Sequence, residues 1–381
     1  MIHLSVPHLK GNESKYVMEC LESNWISSAG EFVNRFEKGI ADFVGSSFGI
    51  ACSSGTAALH VSLLLAGVQP EDEVLVPTVT FIAPVNAIHY VGAFPVFMDC
   101  DSHLNLDVEK VNQFLKEECR QENGVLRNKT SGRRVKAIVP VHIFGHPVSM
   151  EPLMELSRCF DLEIIEDATE SLGSFYTQGL YQGKKTGTIG KFGCYSFNGN
   201  KIISTGGGGM IVTEDEPLAR KAKYLTTQAK DDSFRFVHNE IGYNYRLTNI
   251  QAAIGLAQLE CLREFIVIKR SNFEKYREAI DGYKGLRWIT EPAGTHSNYW
   301  HYSLLLKKDD ALEVSKKLST LGVETRPLWM LNHLQKPYLQ HQNYDIQRAL
   351  DYSRCIINVP CSVGLTAAEI HKTVEMIRSV I

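Results

Sequence analysis

The chain has no apolar run approaching the roughly 20 residues that a membrane-spanning helix needs, so no membrane span is expected. Its opening residues, Met1 to His8, lack the basic region, apolar stretch and small-residue cleavage site of a secretory signal, and the cytoplasm is the expected location. The nine cysteines (Cys20, Cys52, Cys100, Cys119, Cys159, Cys194, Cys261, Cys355 and Cys361) include no Cys-x-x-Cys pair and no Cys/His cluster at zinc spacing. Reduced, mostly buried thiols follow from that pattern, with neither a disulfide framework nor a bound metal. A formal net charge of −3 leaves no basic excess for nucleic acid, and Arg133-Arg134 with Lys136 is too short to supply one. Internal repeats and low-complexity stretches are absent as well. Asn128-Lys129-Thr130 matches a glycosylation sequon without a secretory context and reads as a bare loop.

What is present is ordinary globular composition, 44% apolar and 22% charged, in 381 residues, more than one core usually organises. A large domain over residues 1–259 and a smaller one over 260–381 are expected. Between residue 45 and about 215, short apolar runs alternate with helical patterns, the mark of βαβ units. The expected strands are Val74 to Val76, Phe94 to Met98, Val135 to Val141, Glu163 to Ile165, Gly193 to Ser196 and Gly209 to Val212, with helices at Thr56 to Ala66 and Met150 to Cys159. The polar stretch Lys116 to Arg134 reads as a surface excursion. A long helical pattern after Thr248, through Ala252, Leu256, Leu259, Leu262 and Ile266, leads into the smaller domain. There Trp300 to Leu306 reads as a strand, and Leu312 to Leu321 and Ala367 to Ile381 as helices. The fold class is therefore α/β: a mostly parallel central sheet flanked by helices, with a smaller C-terminal α+β domain.

Three features bear on chemistry. Lys201 follows an expected strand in Ser196-Phe197-Asn198-Gly199-Asn200-Lys201. A lysine there is poorly solvated, which lowers its pKa and frees the amine to form a Schiff base, although a solvated loop lysine is the plainer reading. Asp167 ends the run Leu162 to Glu166, where ligand groups gather in open α/β sheets. A carboxylate there can keep a pyridine nitrogen protonated or simply cap the next turn. Ser53-Ser54-Gly55-Thr56-Ala57-Ala58-Leu59 opens a helix with small residues, suited to a phosphate or to ordinary serine capping. It lacks the Gly-Lys-Ser/Thr ending of a nucleoside-triphosphatase loop and the Gly-x-Gly-x-x-Gly of a dinucleotide fold.

Over nearly its whole length the chain resembles the DegT-type sugar aminotransferases, a branch of the fold type I pyridoxal-phosphate enzymes. The resemblance is carried by Asn24-Trp25-Ile26-Ser27-Ser28-Ala29-Gly30, Ser54 to Leu59, Thr80-Phe81-Ile82-Ala83, Pro95 to Asp99, Glu166-Asp167-Ala168, the Lys201 loop and Gly242-Tyr243-Asn244-Tyr245-Arg246-Leu247. It implies pyridoxal 5'-phosphate as cofactor, held covalently by Lys201, with Asp167 on its pyridine nitrogen and Phe81 stacked on its ring. Gly55 and Thr56 through their backbone, and Ser196 through its hydroxyl, would hold the phosphate. Asn244 would reach that phosphate from a partner subunit, which makes the expected assembly a homodimer. Glu170 stands where the family carries Gln or Glu and would contact the reacting region or the sugar, with a helix-surface glutamate as the alternative. Thr169 replaces a more usual alanine, and Gly207 a more usual glutamate.

Lys201 sets the chain apart from family members that carry histidine there and act as dehydratases. Within the family, Phe97 to Asp101, Glu170 to Tyr176, Asn198 to Lys201 and Glu324 to Trp329 are most similar to the 4-aminotransferases of the bacillosamine and legionaminic acid pathways. That likeness implies transfer of an amino group from L-glutamate to C4 of a UDP-linked 4-keto-6-deoxy N-acetyl hexose. An aminotransferase for a dTDP- or GDP-linked keto sugar and a non-catalytic regulatory relative are the alternatives. Ile26, Ser27, Arg326 and His333 are the candidate substrate contacts. Lys201, freed as an amine, would also carry the transferred proton.

Overall fold

The computed structural model describes residues 1–283, 285–307 and 310–381. Eight strands form the central sheet: β1 (Phe48–Cys52), β2 (Glu73–Pro77), β3 (Phe94–Met98), β4 (Val135–Ile138), β5 (Glu163–Asp167), β6 (Phe192–Ser196), β7 (Gly209–Thr213) and β8 (Asn343–Tyr344). Their spatial order is β1-β7-β6-β5-β4-β2-β3-β8. Pairing is parallel from β6 through β8, whereas β7 runs against both β1 and β6. Every position of β2 and β7 is buried, as expected where helices cover both faces of a sheet. The helix Gly55–Leu65 is likewise buried over most of its length, which explains why its sequence shows no polar face.

A second, antiparallel sheet runs in the order Leu286–Trp288, Tyr302–Leu306, Ile356–Val359, Arg326–Pro327. Its core includes Phe273, Tyr276, Leu304, Val314, Leu318, Ile357 and Ile377, and Ile2 from the opposite end of the chain. The helix Asn249–Ile280, opened by a reciprocal Thr248/Gln251 capping box, runs through the expected boundary at 259/260. Its first half lies among the helices Glu13–Glu22 and Glu31–Val44, and its second half enters the smaller core. Conversely, β8 returns from residue 343 to the edge of the large sheet. The two bodies therefore exchange segments.

Residues 116–134 lie mostly at the surface, as expected, but as a hairpin rather than a loop. Cys119–Glu122 and Val125–Asn128 form a hairpin whose turn residues, Asn123 and Gly124, have φ of 52° and 77°. Asn-Gly is the residue pair that a tight two-residue hairpin turn favours. Asn128 is buried rather than on a bare loop, and its Nδ2 donates to Glu73 Oε2 at 2.7 Å and Gln342 Oε1 at 2.6 Å.

Candidate active site

A cavity of about 550 Å³ lies between the two bodies, and Asp167, at the end of β5, and Ser196, at the end of β6, both line it. The helix Gly55–Leu65 begins at the same place. Ser54 caps it, accepting the Ala57 N–H at 3.0 Å, and its carbonyl accepts that of Ala58. The first N–H groups of a helix have no acceptor within it, so those of Gly55 and Thr56 remain for an anion. A Cβ on Gly55 would come within 2.9 Å of Ser196 Cβ and 3.1 Å of Thr169 Cγ2, so a side chain there would crowd the recess.

Lys201 and Glu170 face each other in the wall of this cavity. The loop before Lys201 is fixed by its N–H, which donates to Asn198 O at 3.0 Å, and by the Trp300 indole, which donates to Asn200 O at 2.7 Å. Lys201 Nζ lies 4.0 Å from the Trp300 ring centroid and 3.7 Å from Glu170 Oε1. Burial lowers the pKa of the amine, while the Glu170 and Asp167 carboxylates pull it back up. Burial also raises the Glu170 carboxyl from its ordinary 4.5 to about 7, with Lys201 and the Phe144 N–H, which Glu170 Oε2 accepts at 2.8 Å, opposing the rise.

The strain that delivers that N–H is visible in the backbone. Phe144 has φ of 53°, uncommon for a bulky residue, and Gly145 follows at 97°. A Cβ on Gly145 would meet Asn298 Oδ1 at 2.0 Å. Asn298 in turn donates to the carbonyls of Glu170 and Leu172, each at 3.0 Å, which ties the Glu170 turn to the same bend. Asp167 is buried, accepts the Thr169 N–H at 3.1 Å, and has its pKa raised by that burial. Directly beside it, Glu166 accepts from His142 Nε2 at 3.0 Å and from the N–H groups of Gly187, Ile189 and Gly190. That fixes the end of β5.

Of the residues singled out from the sequence, Lys201, Asp167, Glu170, Gly55, Thr56, Phe81, Ser196 and Arg326 line this one cavity. Phe81 is 54% exposed, its ring edge-on to Trp329 at 6.0 Å. Arg326 pairs with Glu324 at 2.8 Å on the exposed rim. The others lie elsewhere. His333 Nδ1 bonds Thr78 Oγ1 at 2.7 Å, behind the wall. Ile26 and Ser27 lie outside the cavity, Ile26 exposed and the Ser27 carbonyl accepting the Asn249 N–H at 2.7 Å. Asn244 is exposed and does not line the cavity of its own subunit. Trp300, His301 and Asn358 line the cavity without having been picked out. A Tyr-Trp-His-Tyr run at the start of a strand is the trace that Trp300 and His301 leave in the sequence, and it does not distinguish core aromatics from site residues. Among the described residues no group of three or more His, Cys, Asp or Glu side chains could hold a metal ion, and no helix is long and apolar enough to cross a membrane.

The DegT/DnrJ/EryC1/StrS aminotransferase family matches residues 7–378 of the chain. A GDP-perosamine synthase of Caulobacter vibrioides is 38% identical over 388 aligned residues, covering 100% of this chain and 98% of that protein. A GDP-perosamine synthase of Vibrio cholerae is 33% identical, covering 100% and 99%. The crystal structure of the aminotransferase TlmJ from Streptoalloteichus hindustanus superposes with a TM-score of 0.89 at 28% identity, covering 100% of this chain and 98% of that one.

Proposed function

The chain belongs to the DegT/DnrJ/EryC1/StrS aminotransferase family, and from that premise we propose that it uses pyridoxal phosphate to move an amino group from L-glutamate to a GDP-linked keto sugar. The observation that carries the chemistry is the buried Lys201 amine, 3.7 Å from Glu170 in the cavity that also holds Asp167 and the open helix start at Gly55. These residues fit the cofactor. Gly55 and Thr56 offer N–H groups to a phosphate in a recess that a Cβ would fill, Ser196 adds a hydroxyl, and Asp167 offers a dry carboxylate to a pyridinium. When bound, pyridoxal phosphate supplies the electron sink that amino-group transfer needs.

The protein's own residues supply the rest. Lys201 would hold the cofactor's aldehyde and, once displaced by glutamate, would carry a proton to and from the reacting carbon. Its lowered pKa suits that exchange, because a permanently protonated amine cannot act as a base. Glu170 would keep the displaced amine in place and take up the charge difference. Phe81 would cover the ring, and Asn244 of a second copy would complete the phosphate site, which makes the working unit a homodimer.

The choice of nucleotide rests on the relatives. Two GDP-perosamine synthases aligned over the full chain favour the GDP-linked sugar over the UDP-linked 4-keto-6-deoxy N-acetyl hexose suggested by the sequence segments. The test is to load the purified protein with cofactor, follow its absorbance on adding glutamate, then offer GDP-, UDP- and dTDP-linked keto sugars and weigh the products. A GDP-amino sugar formed with 2-oxoglutarate is the expected result. No spectral response to glutamate would point to a regulatory relative, and amination of the UDP sugar alone would restore the other nucleotide.

A further inference from the structure

His301 is buried in the wall of the cavity and has no part in the chemistry assigned above to Lys201, Asp167 and Glu170. Its ring is held on both sides, edge-on to Phe144 at 5.5 Å and against Trp300 at 4.0 Å. Behind it, Nδ1 meets Cys361 Sγ at 3.2 Å. Its other nitrogen, Nε2, has no protein partner among the described residues and is not among their sealed, unpartnered polar atoms, so it is open to the cavity.

The sulfur decides which nitrogen carries the proton. Besides His301, Cys361 Sγ lies 3.3 Å from the Leu4 carbonyl and 3.3 Å from the Trp300 carbonyl, and both can only accept. Burial raises the thiol pKa, so Cys361 keeps its one hydrogen. The Leu4 carbonyl already accepts the Cys361 N–H at 2.8 Å, so if that hydrogen pointed at Nδ1 the Trp300 carbonyl would be left facing a sulfur lone pair. Directed at a carbonyl, it leaves sulfur to accept from Nδ1–H, and more of the buried groups are satisfied. Nε2 then bears a lone pair. The ring also stays neutral: burial, with the Lys269 and Lys201 amines nearby, pushes its pKa well below the usual range.

A fixed, neutral acceptor discriminates between the two substrates of the reaction. The amino group of glutamate is the one given up to the cofactor, which leaves its carboxylates, and these only accept, whereas a sugar ring offers hydroxyl hydrogens. We propose that His301 is a positioning residue for the sugar, its Nε2 accepting a hydrogen bond from a ring hydroxyl and so orienting the keto carbon towards Lys201. This rests on the amino-sugar function proposed above.

The two amide replacements separate this role from mere packing. The amide of Gln reaches the position of Nε2, whereas that of Asn reaches only as far as Nδ1. GDP-perosamine serves as the probe, its binding to cofactor-loaded protein measured by calorimetry, alongside KM and kcat for glutamate and for the accepted keto sugar. His301→Asn is expected to weaken sugar binding and raise the sugar KM about tenfold, the loss of one buried hydrogen bond, with a much smaller change in the glutamate KM. His301→Gln is expected to recover most of the loss. Equal losses in both variants, or a loss that falls as heavily on glutamate, would overturn the role. If His301→Asn does not fold, Cys361→Ala asks the same question from behind the ring: several-fold weaker sugar binding supports the role, and unchanged binding refutes it. The function beneath it fails differently: wild-type protein would then show no response to glutamate and bind none of the sugar nucleotides, and the role of His301 would fall with it.

Discussion

At the scale of single residues the site depends on two buried groups of opposite sign that share one space. Lys201 is driven towards the neutral amine and Glu170 towards the neutral acid by the same desolvation, and each restrains the other. Replacing Lys201 with Ala is expected to abolish turnover and the visible absorbance of bound cofactor while leaving a folded protein; retained turnover would exclude Lys201 as the attachment point. Glu170 has a measurable consequence for stability. A carboxyl whose pKa is raised by folding contributes stability that is complete below its ordinary 4.5 and lost as pH rises through about 7. Glu170→Gln keeps the acceptor for the Phe144 N–H but cannot ionise. Between pH 5 and pH 8 the cofactor-free wild type should therefore lose stability relative to the variant, by up to roughly 3 kcal/mol. Parallel Tm curves for the two proteins across that range would contradict the assignment. Of these residues, Lys201 and Asp167 were legible in the sequence because each ends or follows a strand, and position along a strand is what a linear pattern encodes. Trp300 and His301 were not, because they reach the cavity from a different sheet.

Secondary-structure elements deliver these side chains by where they end. Strands β5 and β6 stop at Asp167 and Ser196, and the helix after β1 starts at Gly55, so three chain segments converge on one recess. That convergence was readable: β3 spans the residues expected, and β5, β6 and β7 differ only by a residue or two at their ends. The antiparallel course of β7 was not readable, since periodicity carries burial but no direction. Nor was β8, two residues whose pairing is set by the rest of the fold. The Asn123-Gly124 hairpin left a clear turn signal, masked by the charged residues around it. The helix start supplies a sharp test. Gly55→Ala places a methyl 2.9 Å from Ser196 Cβ, in a backbone region any residue tolerates and at a helix position where Ala is favoured. Stability should fall by about 1–3 kcal/mol, because Ser196 and Thr169 must both give way to the methyl. Cofactor affinity should fall at least about tenfold, because the methyl enters the recess meant for phosphate. Spectroscopic titration of the apoprotein with pyridoxal phosphate reads the second effect, and unchanged affinity would place the phosphate elsewhere.

At the scale of the whole molecule, what counts is what a second copy adds to the site. The segment Gln228–Tyr245 carries Phe234, Phe236 and Ile241 in exposed positions, 91%, 65% and 85% accessible, and ends beside Asn244. Apolar side chains left so open in one subunit are what an interface between copies would cover. If Asn244 serves the cavity of a partner, a site needs Lys201 from one chain and Asn244 from the other. Two inactive proteins, Lys201→Ala and Asn244→Asp, should then restore each other when mixed under conditions that let subunits exchange. Random pairing makes half of the dimers mixed, and each mixed dimer has one complete site. The expected recovery is therefore about one quarter of wild-type activity. A site built wholly within one chain predicts none, since every Lys201 would remain in a chain that carries the altered residue 244. Activity measured against mixing ratio, with the dimer followed by sedimentation, distinguishes the two, because only a shared site gives a maximum at equal amounts.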